Sequence, residues 1–119
     1  MERIRFFTHG DKKILLVDLS YCSAAEVERL ARAVPDYVTT RPRNSVLLLT
    51  DMTGASFDKE ALRTMKESAV FDKPYIMKTA WVGAESLPLV FLDDLKAFSR
   101  REFPRFESRE AALEWLVAD

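Results

Sequence analysis

Two periods alternate along this chain, one of two residues and one of 3.6, with short polar punctuation between them. Residues 4–8 read as a strand and residues 13–19 as a second, with only His9-Gly10-Asp11 between. So short a gap predicts a hairpin, and therefore antiparallel pairing. Ile14-Leu15-Leu16-Val17 is apolar without interruption, as in a strand covered on both faces. Val46-Leu47-Leu48-Leu49 repeats that pattern and runs on to Asp51, which places Leu48 in the core.

Between these two runs lies a helical period. Ser23 and Glu26 have the spacing of a capping box, in which hydroxyl and carboxylate each take up a free backbone N–H. Val27, Leu30, Ala31 and Val34 fall at i, i+3, i+4 and i+7 and make one apolar stripe. Tyr37 and Val38 extend the stripe beyond Pro35, where a kink or a fresh short helix is expected. A buried strand, a helix and a second buried strand predict a right-handed crossover and parallel pairing.

The next helix spans residues 58–69, capped by Asp58, with Phe57 set to pack on Leu62 and Ala61, Leu62, Met65 and Ala69 facing inward. Pro74 introduces a strand over 75–82, ended by Gly83. Ser86 is the expected cap of a third helix, with Pro88 in its first turn and Phe91, Leu92, Leu95 and Phe98 buried. Residues 103–106 form a short edge strand around Pro104, and Ser108 caps a last helix buried through Ala112, Leu113, Trp115 and Leu116. The sum is one layered α/β domain over residues 1–119, with a mixed, mostly parallel sheet of about five strands and about four helices. In such a sheet the strands at 14–19, 46–50 and 75–82 are parallel and adjacent or near-adjacent.

Composition narrows the function classes. The 119 residues include 48% hydrophobic ones, enough for a core without disulfide or metal staples. Eighteen basic residues against nineteen acidic ones leave no basic excess, which argues against a nucleic-acid partner. A single cysteine, Cys22, forms no internal disulfide and fits a reducing, cytoplasmic setting. Charges at Glu2, Arg3 and Arg5 stand where a secretory leader needs an apolar core. Apolar runs such as Val46–Leu49 fall far short of the ~20 residues a membrane helix needs, so no membrane insertion is expected.

Candidate chemistry is sparse. His9, the one histidine, sits in a predicted hairpin turn and reads as a solvated side chain rather than a general base. Cys22 precedes a helix, where the dipole lowers a thiol's pKa, but a small buried side chain is the plainer reading. Three isolated glycines exclude GxGxxG and P-loop phosphate cradles. No cofactor or metal set is read.

What remains is positional. Asp18 and Asp51 close the two buried strands, with Ser20 and Thr53 each two residues on, at the sheet edge where α/β ligands collect. Two carboxylates there suit Mg²⁺, yet Asp and Thr are also ordinary turn residues that bond local N–H groups. Lys78 is the odd residue of its strand, sharing a face with Ile76, Ala80 and Val82, and it is placed to answer Asp51 in a structural ion pair. Arg100, Arg101 and Arg105 read as a solvated basic edge.

Several tracts, in order, resemble the STAS superfamily, the SpoIIAA-like fold of anti-sigma-factor antagonists. They are Ile14-Leu15-Leu16-Val17-Asp18, the run from Asn44 to Gly54, Lys73-Pro74-Tyr75, Ala80-Trp81-Val82-Gly83, Phe98-Ser99-Arg100-Arg101 and the run from Phe106 to Leu116. Together they cover nearly the whole chain and are most similar to bacterial STAS-like proteins of unassigned role.

The resemblance implies a non-enzymatic regulatory module that docks on a partner protein and leaves a homodimer open. In the antagonists, a phosphorylated serine lies in an Asp-Ser-Ser-Gly tract that opens the helix after the third strand. Laying residues 51–57 on that region puts Asp58-Lys59-Glu60 where the tract belongs, so the usual phosphoacceptor is missing. Thr53 and Ser56 are hydroxyls close by but outside the motif position. Asp51, Thr53, Ser56, Asp58 and Lys59 are therefore the candidate docking or regulatory residues. Asp58 and Glu60, already negative at the helix start, suggest a locked state rather than a switched one. The alternative is a binder of a small apolar or lipid-like ligand, since lipid carriers share the basic fold. The modest length favours the first, because enclosing a lipid chain takes additional helices.

Overall fold

The structure, a computed structural model, describes residues 2–119, and Met1 lies outside them. The hairpin comes first: β1 (Ile4–His9) pairs antiparallel with β2 (Lys12–Asp18). Its two-residue turn needs both φ angles positive, and Gly10 and Asp11 adopt +56° and +64°. Then follow α1 (Ala24–Val38), β3 (Val46–Asp51), α2 (Lys59–Asp72), β4 (Ile76–Val82), α3 (Leu89–Ser99), β5 (Arg105–Phe106) and α4 (Arg109–Val117). The strands lie in sequence order, β1-β2-β3-β4-β5, and all pairs but the first are parallel. The expected α/β class, the mostly parallel sheet and its three neighbouring central strands are all present.

The alternation along the central strands divides the core in two. Leu15, Val17, Val46, Leu48 and Trp81 face α1, α2 and α3, against Val27, Leu30, Ala61, Phe91 and Leu95. Ile14, Leu16, Leu47, Leu49, Ala80 and Val82 face the other way, onto Ala112 and Leu116 of α4. The result is three helices, a sheet and one helix in layers.

Proline 35 does not break its helix. The capping box at Ser23 and Glu26 forms, and α1 then runs unbroken to Val38. Pro35 has no N–H to give the carbonyl one turn back, at Ala31. The Ser68 hydroxyl of α2 donates to the Ala31 carbonyl at 2.7 Å in its place. No fresh helix starts at Pro35, and a neighbouring helix supplies the missing donor.

Three further expectations are corrected. Ser86 lies in a short 3₁₀ turn (Ala84–Ser86) and Pro88 is the cap residue of α3, with no side-chain bond to it. The inward face of α3 ends on Ser99, whose hydroxyl bonds Leu95 O, while Phe98 is exposed. In β4 the register slips beside Val46 and Leu47, where Ile76 opposes Val46 and Lys78 opposes Leu47. The extra residue, Met77, puts Ile76 and Lys78 on opposite faces.

Replacing Ser68 by Ala leaves the Ala31 carbonyl without its donor and should lower stability by about 1–3 kcal/mol in urea melts. In a Pro35→Ala background the backbone N–H returns, and the same replacement should cost measurably less.

Candidate functional site

The carboxyl ends of β2 and β3 come together as the register pairs Asp18 with Asp51. Each aspartate first closes its own turn. The Ser20 N–H and hydroxyl donate to Asp18 Oδ1 at 3.0 and 2.5 Å. The Thr53 N–H and hydroxyl donate to Asp51 Oδ1 at 3.0 and 2.7 Å. Arg109, in the first turn of α4, then bridges the pair, with Nε 2.6 Å from Asp51 Oδ2 and Nη2 3.2 Å from Asp18 Oδ1. Arg3 adds bonds to the carbonyls of Asp18 and Ser20 at 3.2 and 3.0 Å.

Burial pulls the Asp18 carboxyl up, but the Ser20 donors and the two arginines outweigh it and hold the pKa below the usual value. Burial likewise pulls Arg109 down, and its two aspartates more than reverse that. The position between the carboxylates that would suit Mg²⁺ is thus taken by a guanidinium. Lys78 does not reach Asp51: its Nζ donates to the carbonyls of Trp115 and Ala118 at 2.9 and 2.8 Å, capping the far end of α4.

Three loops are sewn together above this cluster. The Tyr21 N–H donates to Thr53 O at 2.8 Å, the Ser56 N–H to Cys22 O at 3.0 Å, and the Met52 N–H to Val82 O at 2.7 Å. Gly83 packs so closely on Thr53 that a Cβ would run into its backbone, and a Cβ on Gly54 would strike the Tyr21 ring. Tyr21 itself stands at φ +57°, a left-handed conformation that costs energy for a bulky side chain.

The structure disperses the residues singled out from the sequence. Asp51 is buried inside the Arg109 cluster, and the half-buried Thr53 hydroxyl is spent on it. Asp58 accepts from the Ala61 N–H at 2.8 Å as the cap of α2. Ser56, on the loop before α2, and Lys59, the first residue of α2, face water. Cys22 is buried, and that burial pushes its thiol up, the reverse of activation. Among the described residues, no three His, Cys, Asp or Glu side chains are placed to hold a metal ion. None of their helices is long and apolar enough to cross a membrane.

What the sequence reading missed is the apolar part of this edge. Tyr21 is 77% exposed, and Leu89 and Val90 at the start of α3 are 73% and 81% exposed. Leu89 and Val90 lie off the inward stripe of their helix, which is the signal that could have found them. Comparison of the chain with protein-family models, with curated proteins and with solved structures finds no match.

A second cluster lies inside the fold. Arg101, expected in a solvated edge, is buried: its Nη1 donates to Ala69 O at 2.8 Å, and its guanidinium lies 4.9 Å from the centre of the Phe103 ring. Phe103 in turn stacks on Trp81 at 4.6 Å. A cavity of about 70 Å³ opens beside it, between the sheet and the three-helix layer. Leu48, Val34, Leu95 and Trp81 give it apolar walls, and Asp72, Thr79 and Arg101 bring polar atoms to it. Burial pushes the Asp72 carboxyl up to about 7, against the pull of Arg101, and lowers Arg101 to about 10.

Two outcomes follow for stability. Arg109→Met leaves the buried Asp51 without its charged partner and should cost about 1–3 kcal/mol in urea melts. For Asp72, folded and unfolded chains differ in proton uptake between its ordinary 3.8 and about 7, where the folded form holds the proton the unfolded form has lost. Stability therefore falls as pH rises through that window, by at most about 1.4 kcal/mol per pH unit, and the loss is complete above it. Urea melts at pH 5, 6, 7 and 8 should show wild type losing stability relative to Asp72→Asn up to about pH 7; parallel profiles would contradict the burial of this carboxyl.

Proposed function

We propose that the chain is a non-enzymatic interaction module of the STAS kind, which docks a regulatory partner protein on the loops at the carboxyl edge of its sheet. The observation that carries this reading is the exposed, left-handed Tyr21 lying over Gly54, with Leu89 and Val90 on the same edge. An exposed aromatic and two exposed aliphatic side chains on one edge of the sheet are the make-up of a protein-binding patch. The charged groups behind it, Asp18, Asp51 and Arg109, satisfy one another, which leaves the loops to offer shape and apolar surface rather than acid–base chemistry.

On this reading the regulatory loop is locked. The Thr53 hydroxyl is committed to Asp51, and Asp58 occupies the helix start with its carboxylate. A second reading, binding of a small apolar molecule, is favoured by the internal cavity. At about 70 Å³ it has room for a molecule of only a few heavy atoms and is too small for a lipid chain.

A photo-cross-linking amino acid at Val90 should capture a partner protein in cells expressing the chain, and Tyr21→Ser should abolish that capture. The same probe at Arg41, on the opposite edge, should capture nothing. Equal capture from both positions would remove the docking surface from this edge, and capture of only a second copy would replace the regulatory partner by a homodimer. The intact mass should stay unchanged after incubation with a partner kinase and ATP; a phosphate on Thr53 or Ser56 would overturn the locked reading.

A further inference from the structure

Three buried polar atoms have no hydrogen-bond partner in the protein, Asp72 Oδ1, Thr79 Oγ1 and Arg101 Nη2, and their residues line one cavity. They come from α2, from β4 and from the segment after α3. The three residues are 3%, 5% and 9% exposed, so solvent does not serve them, and all three line the cavity under α1, α2 and α3. A buried polar atom left unpaired costs about 1–3 kcal/mol. Three at one cavity are a cost that apolar side chains of similar size would not incur.

Their chemistry selects an occupant. An ionised carboxylate only accepts, a guanidinium only donates, and a hydroxyl does both. A ligand group that donates to Asp72 and accepts from Arg101 answers both at once, with Thr79 completing the set. A hydroxyl has that double character, whereas an anion meets the charge of Asp72 and a cation that of Arg101. The remaining walls, Leu48, Val34, Leu95 and Trp81 among them, are apolar and suit a short hydrocarbon body. We propose that this cavity is a binding site for a small neutral molecule carrying one hydroxyl on a short apolar body. The site lies apart from the exposed side chains of the proposed docking edge, none of which lines it.

The test uses the whole chain at pH 8, where Asp72 is ionised, with 1-propanol as probe and backbone amide shifts as readout. Shifts of Leu48, Ala69, Thr79 and Trp81 should saturate, with half-saturation on the order of 10 mM, as befits so small a ligand. Thr79→Val removes the unpaired hydroxyl while leaving the fold intact, and should weaken 1-propanol about fivefold, the worth of one hydrogen bond. Xenon, which needs only apolar walls, should bind more weakly than 1-propanol, and propionate should be rejected. A folded protein whose shifts do not saturate with 1-propanol, with ordered water alone in the cavity, would overturn the proposal. So would unchanged affinity in Thr79→Val, preference for xenon, or equal binding of propionate.

Discussion

Leu47 and Leu49 point to one side of β3, Val46 and Leu48 to the other, and all four are buried. Neither face of the sheet can then be left to water, at about 25 cal/mol for each Å² of apolar surface exposed. One face receives α1, α2 and α3, the helices that also carry the chain between parallel strands. The other face has only α4, which must cross β3 and β4 to cover it. Its two ends are fixed by charge: Arg109 on Asp18 and Asp51 at one, Lys78 on the last carbonyls at the other. The need to cover a two-sided strand thus determines where the charged residues of the carboxyl edge are used.

That use shapes the carboxyl edge of the sheet. Aspartates at strand ends are a common start for metal or acid–base sites, but here they hold a helix in place. The loops above them are tied together by backbone bonds, and the glycines at 54 and 83 allow the close approaches. A rigid edge with neutralised charge and exposed Tyr21, Leu89 and Val90 is equipped to be recognised by another surface.

The helical layer behaves differently. Ser68 serves Ala31 across the α1–α2 contact, where proline removed a donor, and there the polar bookkeeping closes. A few residues on, Asp72, Thr79 and Arg101 leave it open around one cavity. Such a group of unpaired atoms is rare in proteins, and it sits between the sheet and the three-helix layer.

Much of the architecture was written locally. The hairpin turn, the two uninterrupted apolar strands, the capping box at Ser23, the caps at Asp58 and Ser108, and the stripe of α1 all depend on neighbours within a few residues, and so they can be read along the chain. The fates of Pro35, Lys78, Arg101 and Asp51 could not be read that way. Each depends on a partner distant in sequence: Ser68 for the turn around Pro35, the end of α4 for Lys78, Ala69 for Arg101 and Arg109 for Asp51. The bulge at Met77 reversed one face of β4 for the same reason, since register is set between strands and not within one. Local periodicity fixed which segments are strands and helices, because backbone geometry repeats over a few residues. Which polar groups are spent, exposed or left facing a cavity was decided only when distant segments packed together.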